Sequence, residues 1–166
     1  MGTISGRSLG DAALLLAFMN FAERERLADE VHHRQPNLFY SVLVLQRHGA
    51  KRDQIEVALN VLLVFYEAMR STCDGWPIIS NDVQERCLGR IMGRASRING
   101  LSRRLQAEAS GNSATDHPEQ RLLAFVHARF KESGLLCEPT EVGRLLLLAA
   151  LNLVECIAET TPREAT

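Results

Sequence analysis

A chain of 166 residues with 46% apolar and 23% charged side chains is an ordinary single globular domain. That composition excludes a disordered, collagenous or low-complexity protein, and the length removes any need for a disulfide or metal staple. The net charge of −1 is unevenly spread: residues 80–110 hold six basic against three acidic side chains, so a uniformly basic coat is excluded while a local basic face is not.

Residues 1–10 read as a flexible N-terminus. The uncharged run Ala12–Met19 that follows is far short of the ~18 apolar residues of a membrane span. Asp11 abuts it and no small-x-small cleavage site follows, so it is not read as a secretory signal. Gly6 stands where a myristoylation signal needs Ser or Thr. These features point to a cytoplasmic protein without a membrane partner. Residues 11–34 have helical period, with Leu14, Phe18, Phe21, Leu27, Ala28 and Val31 on one side, expected to be the buried one. Glu30 and His33 stand at the Glu-x-x-His spacing of di-iron bundles. Such sites need a second motif and two more carboxylates, and the chain has no second motif.

Pro36 separates this helix from residues 37–48. The run Leu38–Leu45 is nearly all apolar and would suit a buried strand, but its helical surroundings favour helix, with Gly49 past its end. Residues 53–73 are apolar over most of the helical circumference, which predicts a central helix. Leu45, Gly49, Ile55 and Ala58 have the loose spacing of a helix-turn-helix. Lys51 and Arg52 then stand where a phosphate would lie, and Gln54 is on the reading face. Asp53 and Glu56 make that face acidic to neutral, which DNA repels.

Residues 82–109 predict the most informative helix. Cys87, Leu88, Ile91, Ala95, Ile98 and Leu105 form its core stripe. Gly89, Gly93, Ser96 and Gly100 fall opposite, beside a ladder of Arg86, Arg90, Arg94, Arg97 and Arg104. Stacked arginines repel, and each helical glycine costs about 1 kcal/mol relative to alanine. A solvated helix gains nothing from this. A partner brought close by the glycines and held by the arginines would explain it, as would pairing of the arginines with the chain's own acidic stripes.

Residues 110–117 read as a flexible loop, 118–133 as a helix closed by Gly134, and 139–160 as a second central helix with polar stripe Glu141, Arg144, Asn152, Glu155 and Glu159. Residues 162–166 read as a flexible C-terminus. Leu59, Leu62, Phe65, Leu147, Ala150 and Leu151 are the expected core. Both long helices contain Ala-Leu-Asn, at 58–60 and 150–152, each after a shorter helix and a glycine stop, which suggests a weak duplication of a helical hairpin.

The four cysteines form no Cys-x-x-Cys pair, and no nucleophile or phosphate-loop motif occurs. No catalytic residue and no cofactor is assigned. The expected fold is all-α, a bundle of about six helices. The expected function is a small non-enzymatic interaction or regulatory module. Its Gly/Arg face (Arg86, Gly89, Arg90, Gly93, Arg94, Arg97, Gly100) would meet an acidic protein surface or a second copy of the chain, as a homodimer. The alternatives are a helix-turn-helix DNA-binding regulator using Lys51, Arg52 and Gln54, and a metal-binding helical-bundle enzyme using Glu30 and His33.

Overall fold

The computed structural model describes residues 4–72, 76–99, 116–137 and 140–160. Among them seven α-helices hold most of the chain, 83% of residues are helical and none lies in a strand. The expected flexibility of residues 162–166 and of the loop from 110 to 115 falls outside the described residues, as does Gly100.

The single helix expected over 11–34 is two: α1 (Gly6–Phe18) and α2 (Phe21–Arg34). Ser5 caps α1 by accepting from the Ser8 N–H, so the helix starts within the segment read as a flexible N-terminus, and Ile4 ahead of it is buried. Met19 is extended and ends α1. Asn20 then opens α2 with a capping box, its side chain accepting from the Glu23 N–H while Glu23 accepts from the Asn20 N–H. The Arg24 guanidinium reaches back to the Leu16 carbonyl and satisfies the end of α1.

α3 (Pro36–Leu43) begins at Pro36 and runs into a 3-10 turn, Val44–His48. The stretch Leu38–Leu45 is therefore helical. Gly49 follows at φ 91°, a left-handed cap that favours glycine. α4 (Arg52–Thr72) is buried at six consecutive positions, Val61–Tyr66. Residues 76–79 then cross to α5 (Asn81–Asn99). Gln35 is 1% exposed and ties this crossing down: its Nε2 donates to the Pro77 carbonyl at 2.8 Å and its Oε1 accepts from the Ile79 N–H at 2.9 Å. α6 (Gln120–Glu132) ends at Gly134, φ 78°. Thr140 caps α7 (Glu141–Thr160), which is buried at Asn152–Ile157, again six in a row.

The two long helices pack on each other at the centre. α1 and α3 cover α4, and α5 and α6 cover α7. Ala58 and Ala150 of the two Ala-Leu-Asn tripeptides are both fully buried, but Ala58 is the seventh residue of α4 and Ala150 the tenth of α7. Of the expected core, Leu62, Phe65 and Ala150 are fully enclosed, while Leu59, Leu147 and Leu151 are half-buried against it. Leu62→Ala should cost about 2–5 kcal/mol by denaturant unfolding. Gln35→Ala should cost about 1–3 kcal/mol through the backbone groups it leaves unpaired. Ile78→Ala, on an exposed side chain, should stay within about 0.5 kcal/mol.

Candidate functional site

The arginine ladder faces α7. Arg86 and Arg90 both pair with Glu159, and Arg94 pairs with Glu155. The i, i+4 spacing of the arginines on α5 is met by the i, i+4 spacing of the two glutamates on α7, so one row neutralises the other. His117 completes the row. Its Nδ1 accepts from the Glu119 N–H at 3.0 Å, which places its proton on Nε2, 3.1 Å from Glu155 Oε1. Asn152 adds a bond across the same seam, from its Nδ2 to the Gln84 carbonyl at 3.2 Å.

Hydrogen bonding from Arg86 is the largest influence on Glu159 and, with Arg90, outweighs partial burial to bring its carboxyl down to about 2. Burial pushes Glu155 upward, but hydrogen bonds from His117 and Arg94 and the Arg94 charge together hold it below the ordinary carboxylate range. Cys87 and Cys156 lie beside this row; the Cys87 thiol donates to Glu159 at 3.5 Å and accepts from Arg90 at 3.2 Å, and burial raises both thiols. They are protonated at neutral pH and poor nucleophiles. Chemically the seam is a clamp between two helices.

The small face of α5 is open. A Cβ added at Gly89 or Gly93 would meet nothing within 4 Å, and Met92 and Arg97 are exposed. Thus the glycines do look outward as expected, but three arginines beside them turn inward, because Glu155 and Glu159 lie within reach.

The helix-turn-helix residues are placed as a tight helical joint. Leu45, Ile55 and Ala58 are buried. Gln54 accepts from the Lys51 N–H at 2.9 Å and caps α4, and Arg52 pairs with Glu56 at 3.2 Å. The open groove beside them, between α4 and α6, is lined by Asp53, Glu56, Asn60, Arg129 and Glu132, a surface of mixed sign.

Glu30 and His33 do not converge. Glu30 accepts from the Tyr66 hydroxyl at 2.8 Å and pairs with Arg70 at 3.1 Å, while His33 is exposed. Burial, then the bond to Glu30, pushes the Tyr66 hydroxyl up to about 12. Among the described residues no three His, Cys, Asp or Glu side chains are grouped to hold a metal ion, and no helix is long and apolar enough to cross a membrane.

The surface missed by sequence reasoning is the corner between α1 and α2. Leu14 is 60% exposed, Leu15 46%, Phe18 84% and Phe21 71%. The expectation that Leu14, Phe18 and Phe21 would be buried with Leu27 and Val31 is overturned. The break at Met19–Asn20 turns α2 so that only Leu27 and Val31 reach the core. α1 buries Leu9, Ala12 and Leu16, and Leu14 lies roughly 140–160° away from them around the helix. The signal was present: eight uncharged residues that are apolar all round, followed by the capping pair Asn20 and Glu23.

No protein-family model matches the chain, and no curated protein or solved structure is significantly similar to it.

The low carboxyl values of Glu155 and Glu159 set an acid limb. Both carboxyls are held below their unfolded value near ~4.3, so their contribution to stability is complete above that range and is lost as pH falls below it, toward about 2 for Glu159. Thermal melts from neutral to acid pH should show this loss. Glu155→Gln should cost about 1–3 kcal/mol at neutral pH by removing the charge that faces Arg94 while leaving only an amide oxygen to accept from Arg94 and His117, and should flatten the acid limb.

Proposed function

We propose that this chain is a non-enzymatic helical interaction module whose binding surface is the apolar corner of α1 and α2. The observation that supports this reading is α1 itself. The helix is apolar on two opposite faces, and the protein covers only one of them. A helix apolar all round is ordinarily enclosed. The four exposed side chains present on the order of 400–500 Å² of apolar surface, within the range of patches that are commonly functional. At about 25 cal/mol per Å², covering them is worth roughly 10 kcal/mol before the costs of association.

The Gly/Arg face of α5 is a weaker candidate for an acidic partner. Arg86, Arg90 and Arg94 already hold carboxylates, and a partner would have to displace them. A DNA-reading role for α4 has less support still, since its open first turns carry Asp53 and Glu56. A metal-dependent enzyme at Glu30 and His33 would need Glu30 to leave Arg70 and Tyr66. A cytoplasmic setting suits the free, buried thiols of Cys87 and Cys156.

A photo-crosslinking amino acid in place of Phe18 tests the assignment in cells that make the protein. Covalent adducts should form at position 18 and be suppressed by Phe21→Ser, with the same substitution at Arg97 giving none. Adducts at 97 without adducts at 18, or none at either position, would overturn the reading. Phe21→Ser should leave the melting of a non-crosslinked monomer within about 0.5 kcal/mol of wild type, as expected of a surface change.

A further inference from the structure

We infer that the occupant of the α1–α2 corner is a second copy of this chain, docked about a two-fold axis; the inference rests on the binding surface assigned above. The exposed face of α1 is a seam. Taking Leu14 as zero, Gly10 and Phe18 fall roughly 40° to either side and Arg7 about 20° away. Gly10 and Ala17 are exposed, and a Cβ at Gly10 would meet nothing within 4 Å, so a facing helix can approach the backbone beside Leu14. Past the break, exposed Phe21 opens α2, and Glu25 stands one turn beyond it on the same face of α2.

The two ends of the seam carry opposite charge. Arg7 lies at the α1 end, its side chain 92% exposed and held only by a loose 3.9 Å pair with the equally exposed Asp11, a contact of little worth, and Glu25 lies exposed at the α2 end. With the two-fold axis set across the seam, one copy lies end over end on the other, so each Arg7 meets the partner copy's α2 end and each Glu25 its α1 end; an axis along the seam would set like charges together. The apolar middle meets itself.

The area fits the same occupant. One copy's seam offers on the order of 400–500 Å², which an isologous contact doubles to about 1,000 Å², the size at which specific association begins. A contact of that size gives a reversible dimer.

Sedimentation equilibrium of the full chain tests this. The expected result is a reversible dimer of the 18.5 kDa chain. Phe18→Ser should be monomeric with an unchanged helical spectrum. Arg7→Glu and Glu25→Arg should each weaken dimerisation about tenfold by setting like charges together. Combined in one chain, they should restore it to within about threefold of wild type, which only a contact between the two ends of identical copies allows. Glu at position 7 suits the first turn of a helix, so Arg7→Glu does not threaten the fold. A wild-type protein still monomeric at roughly 100 µM, or a double variant as weak as the single ones, would overturn the inference. A monomer that crosslinks from position 18 to a different protein would overturn self-association while leaving the interaction module standing.

Discussion

The packing of α4 on α7 is the constraint from which the rest of the molecule follows. Each helix is buried at six successive residues, Val61–Tyr66 and Asn152–Ile157, which is more than one full turn. A helix enclosed all the way round cannot be covered by one neighbour. α4 therefore takes α1 and α3 as well as α7, and α7 takes α5 and α6 as well as α4. A left-handed glycine, Gly49 or Gly134, stands ahead of each of the two helices.

Burying α7 so fully creates an electrostatic problem that α5 resolves. Glu155 lies within the buried stretch, and a carboxylate there costs several kcal/mol unless it is paired. Arg94 and His117 supply the pairing, and Arg86 and Arg90 extend it to Glu159. An arginine row that would be repulsive on a free helix becomes the means of registering α5 on α7. Gly89 and Gly93 behind it remain on the solvent side, where no described residue would meet an added Cβ within 4 Å.

The opposite flank shows what happens when a covering helix is itself apolar all round. α1 meets the demand of α4 with Leu9, Ala12 and Leu16, and its other side remains uncovered at Leu14 and Phe18. The capping box at Asn20 stops the helix and directs α2 away, which adds Phe21 to the exposed surface instead of hiding it. Within α1 Leu14 already lies opposite Leu16, so the division between core and solvent is made around the helix itself, and the break at Met19–Asn20 adds Phe21 to the solvent side.

From the sequence alone the helical class followed, because period and length act within each segment and need no partner to be read. So did the central place of residues 53–73 and 139–160, since only an enclosed helix can be apolar over most of its circumference. The repeat of Ala-Leu-Asn and the glycine stops were legible for the same local reason. Periodicity assigns residues to faces but does not say which face meets which. The row of Arg86, Arg90 and Arg94 and the row of Glu155 and Glu159 were both visible as stripes, yet only the approach of α5 to α7 decided that they meet. Leu14 and Phe18 on one side of α1, and Leu9 and Leu16 on the other, were equally apolar candidates for burial. The choice between them rested on which side α4 occupies, a distance along the chain too great for any local pattern to carry.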